Sequence, residues 1–87
     1  VAAFDLRIKP SAGKELARIG TKRDRKRIVD AIEALSSNPR PVGSEKLVGS
    51  DNIHRIRVGD YRVVYEILDA ELVVIVIKVG HRRDVYR

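Results

Sequence analysis

The chain has 87 residues, a net charge of +6 and an isoelectric point near 10.1, with 44% hydrophobic and 34% charged side chains. That length holds one small domain, taken here as 1–87, and the apolar fraction argues against disorder. Without cysteine there is no disulfide framework or thiolate chemistry, and two histidines far apart make no metal-ligand pattern, so no cofactor is expected.

Leu, Ile and Val have to build the core, because the chain has one Phe, three Tyr and no Trp. The apolar stretch Leu72–Val79 falls far short of the ~20 residues that span a bilayer. With no secretory signal visible either, a soluble cytoplasmic protein with no membrane partner is the expectation. The positive balance favours an anionic partner, either nucleic acid or an acidic protein. A merely solvated basic surface is the plainer alternative.

Phe4, Leu6 and Ile8 alternate with Asp5, Arg7 and Lys9, the period of a half-buried strand, and Pro10 ends it. Ser11 is placed to cap a short helix carrying Ala12, Leu16 and Ile19, with Gly20 as its stop. Thr21 and Asp24 resemble a capping box for a second helix, on which Ile28, Ile32 and Leu35 form an apolar stripe. Its first turns hold Lys22, Arg23, Arg25, Lys26 and Arg27, cations that oppose the macrodipole and read mainly as a solvated face. Asn38-Pro39-Arg40-Pro41 ends that helix.

A loop follows from Gly43 to Asn52, with a short strand around Lys46–Val48. Three strands are then expected, Ile53–Val58, Tyr61–Leu68 and Leu72–Val79, the last apolar on both faces as befits a central strand. The order is β-α-α-β-β-β. This is an α+β domain, a helical hairpin packed on one face of a small, mostly antiparallel sheet.

A two-residue turn at Gly59-Asp60 fixes the register of the first hairpin. Arg57 then faces Arg62, Ile56 faces Val63, Arg55 faces Val64, and His54 faces Tyr65. Val58, Tyr61, Ile56 and Val63 share the face the helices cover, while Arg55, Arg57 and Arg62 share the open one. Like charges opposed on a sheet destabilise it, so these arginines call for a bound anion or an acidic neighbour. Glu66 and Asp60 are candidates for that neighbour.

The C-terminal run Val79-Gly80-His81-Arg82-Arg83-Asp84-Val85-Tyr86-Arg87 should bring Arg82 and Arg83 beside the same hairpin. Lys78 joins them if the register of its strand allows. Tyr86 either stacks on a base or folds back to seal the sheet edge. Cations around His81 favour neutral imidazole, able to accept a proton. His54, on the helix-facing side, reads as structural.

Together, Tyr61-Arg62-Val63-Val64-Tyr65-Glu66-Ile67 and Val79-Gly80-His81-Arg82-Arg83-Asp84-Val85-Tyr86-Arg87 closely resemble the RelE branch of the RelE/ParE toxin superfamily. Asn38-Pro39-Arg40-Pro41, Lys46-Leu47-Val48-Gly49 and Arg55-Ile56-Arg57-Val58-Gly59-Asp60 extend the match over nearly the whole chain. The resemblance implies a toxin of a type II toxin–antitoxin system that cuts mRNA in the ribosomal A site. It implies metal-independent attack of a 2′-OH on the adjacent phosphate, leaving a cyclic phosphate and a free 5′-OH. On matching positions Arg55 and Arg57 are the basic strand sites, Arg62 the phosphate-stabilising arginine, Arg82 the second catalytic arginine and Tyr86 the base-stacking tyrosine.

Arg83 is added as a substrate-binding residue and Arg57 as a catalytic one. The founding member has lysines at the two strand sites, one proposed as the base, and arginine holds its proton too tightly to replace it. His81 is therefore expected to serve as base or acid, with water- or RNA-assisted transfer as the alternative. The implied partners are the ribosome with mRNA and a cognate antitoxin whose acidic segment wraps the toxin. Operon DNA is reached only through that antitoxin. A ParE-like DNA gyrase inhibitor and a non-catalytic RNA- or ribosome-binding domain are the competing functions.

Overall fold

The computed structural model describes residues 3–81. Its sheet has five strands in the order β1-β5-β4-β3-β2, with β1 at Asp5–Ile8, β2 at Glu45–Lys46, β3 at Ile53–Val58, β4 at Tyr61–Leu68 and β5 at Val73–His81. β1 runs parallel to β5 and every other pairing is antiparallel, so the sheet is mixed. Two helices, α1 at Pro10–Ala17 and α2 at Lys22–Ala34, pack on it.

Periodicity explains most of this. Ile28, Ile32 and Leu35 are almost completely buried, and they meet Ile56, Val63, Tyr65 and Ile67 from the facing side of the sheet. Thr21 Oγ1 accepts from the Asp24 backbone N–H at 3.3 Å and starts α2 as its spacing implied. Two of the five cations in the first turns of α2 are occupied locally. Arg25 Nη1 donates to the Ile19 carbonyl at 2.9 Å, and Lys26 pairs with Asp30 at 3.2 Å.

Four boundaries differ from expectation, one being the end of α1, which stops at Ala17 with Arg18 as its C-cap residue rather than at Gly20. Pro10, not Ser11, opens α1, with Lys9 as the N-cap residue and no side-chain cap; proline's fixed φ and missing N–H suit the first helical position. The short strand is Glu45–Lys46 rather than Lys46–Val48, and Val48 is fully exposed. Leu72 does not begin β5. It takes a left-handed conformation (φ 54°) after the turn at Asp69–Glu71, and the strand then runs on to His81.

The β3–β4 hairpin has the register its turn implied: Val58 opposite Tyr61, Arg57 opposite Arg62, Ile56 opposite Val63, Arg55 opposite Val64 and His54 opposite Tyr65. Gly59 has φ 60° while Asp60 is not in the left-handed region, the sign pattern of a type II′ turn. The β4–β5 ladder contains an irregularity. Val64 faces Lys78 but Tyr65 faces Val76, so Ile77 is an extra residue.

Candidate functional site

Register alone puts Arg55, Arg57 and Arg62 on the sheet face away from the core. β2 pairs only with His54 and Arg55, and beside β3 a cavity of about 570 Å³ opens where β2 stops. Arg55, Arg57 and Arg62 line it together with Glu45. Its apolar wall comes from Ala31 and Ala34 of α2, small residues that leave room, with Ile56, Val58 and the loop at Pro41, Val42 and Gly43. The result is a basic cleft with an apolar shoulder, suited to a phosphate joined to a flat organic group.

The acidic neighbour that the arginines required is Glu45. It lies opposite Arg55 in the β2–β3 ladder, and Arg55 Nη2 donates to Glu45 Oε2 at 2.7 Å. That hydrogen bond and the Arg55 charge hold the Glu45 carboxyl below the usual range, helped by the charges of Arg62 and Arg57. Glu45 is thus an acidic partner of Arg55 that the expectation, which named Glu66 and Asp60, did not include. A two-residue strand gives no alternation to read, so no sequence pattern marked Glu45.

The structure does not bring His81 into the cleft. It stands opposite Tyr61, with the rings edge-on at 5.7 Å, in a separate depression of about 290 Å³ that includes Glu15, Arg18 and Lys78. The cause is the extra residue in β5. Counting straight from the Leu68–Val73 pair would give His81 the arginines' face, but the shift at Val64/Tyr65 turns Gly80 toward Arg62 and His81 to the other side. Lys78 gains the arginines' face by the same shift, yet its ammonium is held by Glu15 Oε2 at 3.0 Å. The other oxygen of Glu15 accepts the Val79 backbone N–H at 3.0 Å, closing the edge of β5 beyond β1. Arg82, Arg83 and Tyr86 lie outside the described residues.

His54 is structural, as its face implied. It is 6% exposed and stacks on Tyr65 at 5.9 Å, whose hydroxyl donates to the Pro39 carbonyl at 2.7 Å. Burial, then the charges of Arg40 and Lys46, push its imidazole below the usual range. Arg40 is itself held by Asp69 through contacts of 3.1 and 2.8 Å.

A family model described as the ParE toxin of the type II toxin–antitoxin system parDE matches residues 6–86. A curated relative from Methanocaldococcus jannaschii, named as a RelE1 toxin, is 34% identical over 65 residues, covering 71% of this chain and 72% of that protein. The chain belongs to the RelE branch of the RelE/ParE toxin superfamily. The isolated E. coli RelE toxin superposes with a TM-score of 0.79 at 31% identity, covering 97% of this chain and 92% of that one. RelE in the Pyrococcus horikoshii RelE–RelB complex gives a TM-score of 0.82 at 25% identity, covering 94% and 98%. As a RelE-type toxin of a toxin–antitoxin system, the chain has the family's two helices on a mixed sheet. No helix among its described residues is long and apolar enough to cross a membrane.

Proposed function

We propose that this RelE-type toxin is a ribosome-dependent endoribonuclease that cuts mRNA in the A site and thereby stops translation. The observation that carries the reading is the convergence of Arg55, Arg57 and Arg62 on one cleft. Metal-independent cleavage sends the 2′-OH into the neighbouring phosphate, and the transition state gathers negative charge on the phosphoryl oxygens. Guanidinium groups remain charged at any physiological pH and present their donors in a fork that matches those oxygens. Donors already held in place stabilise that charge without reorganising at the moment of reaction. On the family pattern, Arg82 adds a second catalytic arginine, Arg83 a further contact to RNA and Tyr86 a surface for base stacking.

The position of His81 opposite Tyr61 counts against its exchanging a proton with a phosphate held by these arginines. The apolar shoulder of the cleft fits a nucleobase beside the phosphate, which a purely basic surface would not.

The proposed partners are the translating ribosome and a cognate antitoxin. Relatives from E. coli and P. horikoshii are known in complexes with RelB antitoxins, and a chain of net charge +6 suits an acidic wrapping segment. Operon DNA would be reached through that antitoxin.

Primer extension on translated mRNA after induction tests the activity. Cuts positioned in the A site support it. The description of the matching family model also favours a second reading, a ParE-type inhibitor of DNA gyrase. Gyrase-linked DNA damage with intact mRNA would establish that reading instead.

A further inference from the structure

The far end of β5 has a strand on one side only. β1 stops at Ile8, opposite Val76, and from Lys78 to His81 the strand pairs with β4 alone among the described residues. Backbone groups along a strand face alternate sides, and the N–H of Val79 faces away from β4. One side chain stands where the missing strand would run. Glu15 of α1 accepts that N–H through Oε1 at 3.0 Å, and its Oε2 holds the Lys78 ammonium at 3.0 Å.

Both contacts follow directly on Ile77, the extra residue that shifts the β4–β5 register. A bulge interrupts the ladder and bends its strand, so the segment beyond it is less firmly held by β4. The next residue is Gly80, which stands opposite Arg62, and His81 then leads into the run that carries Arg82. Core packing keeps Val79 inward at 1% exposure, but apolar burial is non-directional and does not fix the strand along or across the sheet. A hydrogen bond to the main chain does.

We propose that Glu15 is a positioning residue for Arg62. By standing in for a strand at Val79, it fixes the part of β5 opposite that arginine and so the arginine's place in the cleft. The inference rests on the ribonuclease reading above and deepens it. Glu15 lines the depression around His81 and not the arginine cleft, so it acts through β5 and not on the RNA. Of its two contacts, the one to Val79 carries the effect. The Lys78 side chain is 42% exposed, and a solvent-screened pair of that kind holds little in place. Glutamine keeps an acceptor for Val79 and gives up the charge that Lys78 meets.

The test is single-turnover cleavage of mRNA on programmed ribosomes by the full chain, together with amide hydrogen exchange. The variants are Glu15→Ala, Glu15→Met, Glu15→Gln, Arg62→Ala and the Glu15→Ala/Arg62→Ala pair. Glu15→Ala should open the Val79 amide to exchange and slow cleavage at saturation by up to about 10²-fold, the scale of a misplacement of about 1 Å. The half-saturating concentration should not change. Glu15→Met keeps the length of the side chain without its acceptors and should match Glu15→Ala, whereas Glu15→Gln should restore both protection and rate. In the Arg62→Ala background the Glu15→Ala loss should vanish, since the group it positions is gone. Wild-type cutting or unchanged Val79 protection in both Glu15→Ala and Glu15→Met overturns the inference, as do losses that multiply in the double variant. Each of these outcomes leaves the ribonuclease reading standing. A folded wild-type chain that leaves translated mRNA intact overturns both.

Discussion

Arg57 and Arg62 are direct cross-strand partners, two cations opposed in the middle of the β3–β4 hairpin. Opposed like charges on a sheet cost a fraction of a kcal/mol, about 0.2–1 kcal/mol. Replacing Arg62 with alanine should therefore leave the fold intact. Cleavage of ribosome-bound mRNA should fall about 10²–10³-fold, the loss typical when one preorganised donor to a developing anion is removed. Full activity of a folded Arg62→Ala protein would remove this arginine from the chemistry.

His81→Gln should behave differently. Since the imidazole packs edge-on against Tyr61 on the face away from the arginines, cleavage and its pH profile should change little. A lost pH limb in this variant would return the proton-transfer role to His81.

His54 makes the fold sensitive to acid. Its folded value is depressed below that of the unfolded chain, so the unfolded state binds the proton more readily. The stability this contributes is complete above about pH 6.5 and is lost as the pH falls. His54→Phe keeps a ring against Tyr65 and cannot titrate. Its urea midpoint should vary less than that of wild type between pH 7 and 5. Glu45 and Asp69, both depressed by arginine partners, lose their contributions only at lower pH in either protein.

Gly59→Ala probes the turn that sets the hairpin register. A Cβ there would sit in a left-handed backbone at φ 60° and 3.4 Å from Arg27 Nη1. The backbone alone costs about 1–2 kcal/mol for a side-chain-bearing residue. Chemical denaturation should show a loss of that order.

Tyr65→Phe removes the hydroxyl that donates to the Pro39 carbonyl at 2.7 Å in a buried setting. Leaving that acceptor unsatisfied should cost about 1–3 kcal/mol in the same measurement.

The sequence made one hairpin legible in full, because Gly59-Asp60 is short enough to fix every pair from Val58–Tyr61 outward. From that register came the common face of Arg55, Arg57 and Arg62 and the burial of His54. The second hairpin was not legible to the same depth. Its extra residue, Ile77, ends the apolar run Val73–Ile77, where no alternation marks a change of face. That single residue decides which side His81 occupies. Glu45 escaped for a related reason, since its importance comes from a strand too short to carry a pattern and from Arg55, ten residues away. The parallel pairing of β1 with β5 joins Asp5 to Val73 and lies beyond any local signal.

That pairing of first strand with last also bears on synthesis. β5 is an interior strand, flanked by β1 and β4, so the sheet stays in two pieces until Val73–His81 has left the ribosome exit tunnel. Contacts between such distant segments form slowly compared with the local β3–β4 hairpin. The arginine hairpin therefore pairs locally before its scaffold is complete, and the sheet closes only when β5 enters between β1 and β4.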